Sequence, residues 1–367
     1  MVKALPLFEA YPRLKERLPF VSFGIYPTPV EPLAGCSPLC RVYVKRDDLS
    51  GGEYGGNKIR KLEFVLGEAR RQGAGEALTF GCDGSNHALA TGIYAKKMGM
   101  RSISILRTQH NARYVRSNLL KSLYYGIQLY HCETLEEMET LAASLERQRL
   151  EETGRPVYRI PVGGSSPLGT VGFVNAAFEL KEQIDAGLLP EPDRIYAAAG
   201  TLGTVAGLTL GLDILGMKTR VVAVRVNSET RINPQNYAGL MNATAALLHQ
   251  ADPGISIRAY APEDTRIEEG YYGADYAMFT EEGVRAANFM RKTYGIALDG
   301  TYTGKTFAAL LDAARAEENR GKALLFWNTL NSRKPPPEAL QGDYHNLPKD
   351  FWPCFEQKVQ PLDGQLL

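Results

Sequence analysis

The sequence lacks any apolar run near the ~20 residues that a bilayer-spanning helix needs. Its opening stretch, MVKALPLFEAYPRLKERLPF, has no apolar block of the kind a secretory leader carries. Both absences point to the cytoplasm and away from a membrane. Cysteine is scarce: Cys36, Cys40, Cys82, Cys132 and Cys354 make an odd, scattered set of five, which builds no disulfide framework. Cys36 and Cys40 have no second Cys/His pair at ligand spacing, so reduced thiols are expected and a metal site is not. Neither sign of charge is in excess. Lys and Arg number 42 against 41 for Asp and Glu, a net charge of +1, which speaks against nucleic acid or an acidic membrane as partner. There is no clear internal repeat. The Gly-Lys-Ser/Thr of a P-loop and the glycine spacing of a dinucleotide fingerprint are also missing.

What is present is a 367-residue chain, enough for about two domains. With 44% hydrophobic and 23% charged residues it reads as an ordinary globular protein. Short β-rich runs at 41–45, 77–81, 102–106, 194–199, 221–226 and 322–327 alternate with helical patterns. The helical stretches are 57–72, 86–98, 112–125, 134–150, 170–186, 203–215, 281–294 and 304–318. This alternation predicts an α/β fold with mostly parallel sheets, in which ligands sit beyond the carboxyl ends of the strands. The Pro-rich segment 332–353 is predicted to leave the core as an extended tail.

Four loops carry candidate chemistry. AGTLGTVAG (199–207) follows a strand and opens a helix, leaving backbone N–H groups free where the helix dipole favours an anion. Gly200, Gly203 and Gly207 permit close approach there, and Thr201 and Thr204 add hydroxyls; the natural ligand is a phosphate. GCDGSNH (81–87) places Ser85 or Asn86 at a helix start, where a second anion such as a carboxylate could be held. GGEYGGNKIRKLE (51–63) sets four glycines before Lys58. A helix N-terminus and burial both favour a neutral amine, the form that Schiff-base chemistry needs. Arg60 and Lys61 are neighbours, so local physics does not choose among the basic residues. DGTYTGKT (299–306) offers Tyr302 as an acid/base or stacking group and Thr303 as a neutral hydrogen-bond partner. Each loop also has a plainer reading as a turn into a helix.

Taken in order, KRDDLSGGEYGGNKIRKLE (45–63), GSNH (84–87), YRIPVGGSSPLGTVGFVNAAFEL (158–180), AGTLGTVAG and DGTYTGKT resemble the D-cysteine desulfhydrase/1-aminocyclopropane-1-carboxylate (ACC) deaminase family of pyridoxal 5'-phosphate (PLP) enzymes. The resemblance spans most of the chain, from near residue 20 to residue 330. It implies a tryptophan synthase β-subunit-like fold of two three-layer α/β/α domains. The large domain would comprise 1–65 plus 176–367 and the small one 66–175, with the active site in the cleft between them. It implies that Lys58 carries PLP, that Gly200, Thr201, Leu202, Gly203 and Thr204 cup its phosphate, and that Asn57 bonds its ring hydroxyl. Ser85, Asn86 and His87 would hold the substrate carboxylate, with the Ser85 hydroxyl near the reacting carbons. Tyr302 and, by a looser alignment, Tyr276 are the implied active-site tyrosines. Thr303 would face the ring nitrogen, and Thr329 keeps a threonine that the family places after a histidine. Homodimers are usual in the family.

The implied activity is lysis of a small amino acid, with α,β-elimination of D-cysteine to pyruvate, ammonia and sulfide as the leading reading. ACC deaminase, β-replacement and a non-catalytic PLP-binding protein are the alternatives. Thr303 favours elimination, because the ring-opening deaminases place a glutamate there. The chain departs from the family on the substrate side. Gly84 stands for a glutamine, Asn328 for the histidine, and Leu330 and Asn331 for two glycines.

Overall fold

The predicted alternation is realised as two separate sheets in a computed structural model, which describes residues 5–367. Ten strands form: β1 (Val30–Pro32), β2 (Arg41–Lys45), β3 (Glu76–Cys82), β4 (Arg101–Arg107), β5 (Gln128–His131), β6 (Val157–Ile160), β7 (Arg194–Ala199), β8 (Arg220–Arg225), β9 (Ile267–Glu268) and β10 (Ala323–Trp327). One sheet has the order β1-β2-β10-β7-β8-β9, and the other β5-β4-β3-β6. Among the strand pairs of the described residues, β1–β2 alone is antiparallel. The α-helices are α1 (Pro6–Ala10), α2 (Pro12–Arg17), α3 (Lys58–Arg71), α4 (Asn86–Lys97), α5 (Arg113–Tyr125), α6 (Leu135–Thr153), α7 (Pro167–Asp185), α8 (Gly203–Ile214), α9 (Pro234–Ala251), α10 (Glu281–Tyr294), α11 (Thr303–Arg315) and α12 (Pro353–Glu356).

The two-residue period of the strands decides which helices each sheet face meets. Along β7, Ile195, Ala197 and Ala199 pack with α7, α8 and α9, whereas Tyr196 packs with α10 and α11. In the smaller sheet Leu78, Phe80, Ile103 and Ile105 meet Met138, Ala142 and Leu145 of α6. Ala77, Leu106, Leu129 and Ile160 turn the other way, toward α3, α4 and α5. Both sheets are thus covered on both faces, as parallel sheets require.

All six predicted strands and all eight predicted helices form, within a few residues at their ends. The pattern missed α9, whose small residues leave no wide apolar stripe, although Asn233 caps it by accepting the Asn236 N–H. It also missed β1, β5, β6 and β9, which have two to four residues each and are too short for a periodicity to show.

The expectation for 332–353 is corrected. The segment does not leave the core: Ala339 and Phe351 are fully buried and Leu347 nearly so. Arg333 anchors its start by donating to the carbonyls of Gly51 (2.6 Å) and Leu49 (2.9 Å). The prolines mark turns between apolar residues at irregular spacing, so a composition that reads as a linker docks as a strap.

A dry charge network fixes α3 against both β2 and α7. Arg60 donates to Asp47 (2.7 Å) and Glu179 (2.9 Å), and Lys45 reaches Glu179 at 2.5 Å. Trp327 Nε1 donates to Asp47 (2.8 Å), which ties in β10. Burial alone would raise the Glu179 carboxyl, but Arg60 and Lys45 overcome it and hold the group at about 2.

Candidate active site

Segments that follow the carboxyl ends of β3, β4, β6, β7, β8 and β10 line a single cavity of about 1320 Å³. Lys58, at the start of α3, opens into it. Protein encloses its amine, and that desolvation lowers it to about 8. The amine has no hydrogen-bond or ion-pair partner among the described residues. The glycines ahead of it have a steric reason. Gly56 has φ +88°, and a Cβ there would stand 2.8 Å from the Thr329 carbonyl oxygen. The Asn57 N–H donates to that same oxygen (3.2 Å), which pins the turn that launches Lys58.

Opposite lies the start of α8. Its N-cap, Leu202, has φ 64°, and its own side chain makes no cap. The Gly203 N–H goes to the Thr201 carbonyl (2.9 Å) and to Ser165 Oγ (3.3 Å), whereas the Thr204 and Val205 N–H groups have no partner among the described residues and are left for a ligand. Gly200, Thr201, Leu202 and Thr204 line the cavity around them. Gly203 is buried under them, because a Cβ there would stand 2.6 Å from Ser165 Oγ and 2.8 Å from Lys61 Nζ. Asn57 Nδ2 donates to Thr204 Oγ1 (2.9 Å), joining this loop to the Lys58 turn.

Lys61 is a residue the sequence left unresolved, and the structure separates it from Lys58. Its buried amine donates to Ser165 Oγ (3.0 Å) and to the Gly163 carbonyl (3.2 Å). Ser165 Oγ in turn meets Thr201 Oγ1 at 2.7 Å. Burial, and then Lys58, push this amine well below its ordinary value. An amine that a phosphate would protonate, beside a helix start with free N–H groups, is a place for a doubly charged anion. His87 adds an unfilled acceptor. Thr79 Oγ1 donates to the Ile160 carbonyl (3.0 Å), so the His87 Nε2–H must donate to Thr79 (3.0 Å). The other ring nitrogen, Nδ1, is buried without a partner. Burial and then the two lysines keep this ring neutral.

Ser85 and Asn86 line the same cavity. Ser85 caps α4 by accepting the Ala88 N–H (3.1 Å), so the helix-cap reading of this loop holds in the geometry. Asn86 Oδ1 accepts from Tyr54 (3.2 Å) and Asn118 (2.9 Å), which leaves its amide N–H groups for a ligand. The absent side chain at Gly84 is a steric necessity: a Cβ would come within 2.6 Å of the Tyr114 ring. Gln109 fills the vacated place, accepting the Gly84 N–H (3.0 Å) and donating to the Tyr114 hydroxyl (2.6 Å).

Tyr276 and Tyr302 come together although they lie far apart in the chain, and their hydroxyls hydrogen-bond directly. Burial is the first cause that pushes both far above the usual phenol value. They stay protonated at neutral pH, so they can serve as proton donors and not as bases. Thr303 is placed differently from expectation. It is buried off the cavity wall, where its hydroxyl donates to Asp299 Oδ2 (2.6 Å). The same carboxylate accepts the Thr301 (2.9 Å) and Tyr302 (2.5 Å) N–H groups. Thr303 begins α11, so its side chain serves the turn rather than the cavity. Thr329 is the threonine on the wall, beside Leu330 and Asn331. Asn331 Oδ1 accepts the Gly55 N–H (2.6 Å), so this loop also braces the glycine turn. The buried Asn328 Nδ2 has no partner.

Residues 21–329 match the family described as pyridoxal-phosphate dependent enzyme. The chain belongs to that family. A provisionally named 1-aminocyclopropane-1-carboxylate deaminase of Pyrococcus furiosus is 36% identical over 321 residues, 86% of this chain and 93% of the relative. D-cysteine desulfhydrase of Yersinia pestis is 32% identical over 309 residues, 82% of this chain and 90% of the relative. Among solved structures, an ACC deaminase homologue superimposes with a TM-score of 0.75 at 33% identity, covering 90% of this chain and 96% of its own.

PLP is the cofactor of this family, and the site fits it. An enclosed, unpaired amine stands at Lys58, a second buried amine at Lys61, unpartnered Thr204 and Val205 N–H groups at the start of α8 and an orphaned acceptor at His87 Nδ1. Lys61, Ser165, Asp299 and the Gln109–Tyr114 pair were not singled out from the sequence. Only Lys61 carried a signal there, as a second lysine one helical turn after Lys58.

Proposed function

We propose that this PLP-dependent enzyme eliminates a β-substituent from a small amino acid, with D-cysteine as the reference substrate, giving pyruvate, ammonia and sulfide. The observation that carries the reading is the Lys58 amine: enclosed, unpaired, lowered to about 8 and facing the start of α8. When bound, PLP supplies an electron sink for charge that develops at the substrate α-carbon. Lys61 Nζ, the Thr201 and Thr204 hydroxyls and the Thr204 and Val205 N–H groups at the start of α8 would hold its phosphate. Asn57 lies within reach of its ring. The Asn86 amide, with the N-terminus of α4, would hold the substrate carboxylate.

Proton transfer divides by acidity. The Lys58 amine, near neutrality, is the base for the α-proton. Tyr276 and Tyr302 are held in the protonated form, so they suit donation to the departing sulfur and not abstraction. The Cα–H and Cβ–S bonds break, sulfide leaves with its electron pair, and water completes the release of ammonia. Support for a cytoplasmic setting comes from five cysteines that are all free thiols. A homodimer is part of the same proposal, and light scattering at two concentrations checks it.

The test is a screen of D- and L-cysteine, other β-substituted amino acids and ACC, following keto-acid and sulfide release. Pyruvate with stoichiometric sulfide from cysteine supports the proposal. 2-Oxobutyrate from ACC at a comparable rate, with no sulfide from either cysteine, would overturn it in favour of ring opening.

A further inference from the structure

The cavity exceeds what PLP and a three-carbon amino acid require. Ligand pockets commonly hold ~300–1,000 Å³, and this one reaches about 1320 Å³. Its wall includes two half-buried arginines from different units of the fold. Arg107 ends β4 of the four-stranded sheet and pairs with Cys82 in the β3–β4 register. Arg231 lies in the loop between β8 and α9 of the six-stranded unit. Both guanidiniums act on the same thiol, that of Cys82, and each favours its ionised form. The Cys82 carbonyl accepts the Ser85 N–H (2.8 Å), so the arginines converge beside the loop assigned to the substrate carboxylate.

Arg60 and Arg159 have carboxylate partners, and Arg333 and Arg116 have backbone carbonyls. Arg60 has Asp47 and Glu179, and Arg159 has Glu139 and Glu146. Arg107 and Arg231 have neither a carboxylate nor a side-chain hydrogen-bond partner among the described residues, and Arg107 Nε is fully buried in that state. Two carboxylates also act on Cys82. Asp275 is occupied by His110 (2.9 Å) and by the Tyr276 N–H (2.7 Å), and Asp83 is buried against Cys354. Neither is paired with the arginines. A guanidinium withdrawn from water without a counter-charge is costly, and its planar fork matches carboxylate and phosphate oxygens.

We infer that Arg107 and Arg231 form a subsite for a second anionic group, a carboxylate or phosphate on the side chain of the amino-acid substrate, held between the two sheet units. This rests on the PLP reading at Lys58 and names the side-chain chemistry the pocket selects. Elimination then breaks the bond from Cβ to the substituent, which leaves with its electron pair as an anion, while the α-proton goes to Lys58. Water releases pyruvate and ammonia as before.

The holoenzyme is given matched pairs in both enantiomers: S-carboxymethylcysteine against S-ethylcysteine, and O-phosphoserine against O-acetylserine. Affinity is read from the shift of the visible cofactor band, so the ratio is defined whether or not a compound turns over; kcat/KM is added where it does. In at least one pair the charged member is expected to bind about tenfold or more tightly. Arg107→Gln and Arg231→Gln should each cut that ratio about tenfold, mainly through KM, and Arg107→Lys should restore part of it. The pair that responds separates carboxylate from phosphate. A wild-type ratio at or below one in both pairs overturns the inference, as does an equal loss for charged and neutral members in the variants. Failure of the underlying reading looks different: the purified protein would show no visible band, or Lys58→Ala would keep it.

Discussion

Replacing Lys61 by Met tests the division of labour between the two lysines of α3. Methionine nearly matches the volume and removes the amine, with its charge and its two hydrogen bonds. In the PLP-free protein the Lys61 amine is buried, with a hydroxyl and a carbonyl as its only partners. The substitution therefore leaves no buried charge behind, and the fold should be as stable as wild type or more so. With the phosphate in place, the lost charge-assisted hydrogen bond contributes about 1.5–3 kcal/mol. PLP affinity should fall about 10- to 150-fold. Burial and Lys58 push the amine well below its ordinary value, and a doubly charged phosphate pushes it back up. Loading should therefore take up protons wherever the free enzyme holds Lys61 neutral, and affinity should fall as pH rises. The assay is a titration of cofactor-free protein with PLP, followed by visible absorbance and tryptophan fluorescence, beside Lys58→Ala. Lys61→Met should reach the full visible band at higher PLP, whereas Lys58→Ala should quench fluorescence without any band. Wild-type affinity in Lys61→Met would refute the phosphate role. Loss of its band at saturating PLP would make Lys61 the anchor in place of Lys58.

Glu179→Ala strands Lys45 and Arg60 in the dry network and should cost about 3–5 kcal/mol, read by urea unfolding; a loss under about 1 kcal/mol would contradict the network's role. Because the Glu179 carboxyl sits at about 2 in the fold, its contribution is complete above its unfolded value of about 4.3 and is lost as pH falls toward about 2. Gly56→Ala forces a side chain into φ +88° against the Thr329 carbonyl, so it should cost at least about 1 kcal/mol and slow PLP loading; an unchanged melting temperature and loading rate would count against the steric account. Gln360→Ala releases the C-terminal segment that follows the strap from the Tyr276 loop, since Gln360 accepts the Phe279 N–H (2.7 Å) and donates to the Ala277 carbonyl (3.1 Å). Turnover should fall about tenfold with PLP affinity preserved, and parallel loss of both would mark this contact as merely structural.

The local patterns were legible because they are local. Strand alternation, helical spacing and the glycine turns before Lys58 and within 199–207 all report contacts a few residues apart. They located the α8 start and the Ser85–His87 loop. Patterns carried by small residues, as in α9, or by two to four residues, as in β9, fall below what periodicity can register. The strap at 332–353 was misread because its anchors, Ala339, Leu347 and Phe351, follow no period and find their partners only in the folded chain.

Which residues do chemistry was a different matter, because charge and proton affinity depend on neighbours remote in sequence. By local physics Lys58 and Lys61 were equivalent amines at one helix start, and only the family resemblance chose Lys58. The fold leaves the first unpaired in the cavity and gives the second to Ser165 and Gly163, more than a hundred residues away. Thr303 shows the reverse: its motif is plain in the sequence, but the turn into α11 sends its hydroxyl to Asp299 and leaves Thr329 on the wall. Backbone sterics and apolar spacing act within a few residues, so the chain alone carries the α/β fold and the positions of its loops. Desolvation and Coulomb forces act through space, so only the tertiary structure decides which lysine stays unpaired, which tyrosines stay protonated and which arginines are left without a partner.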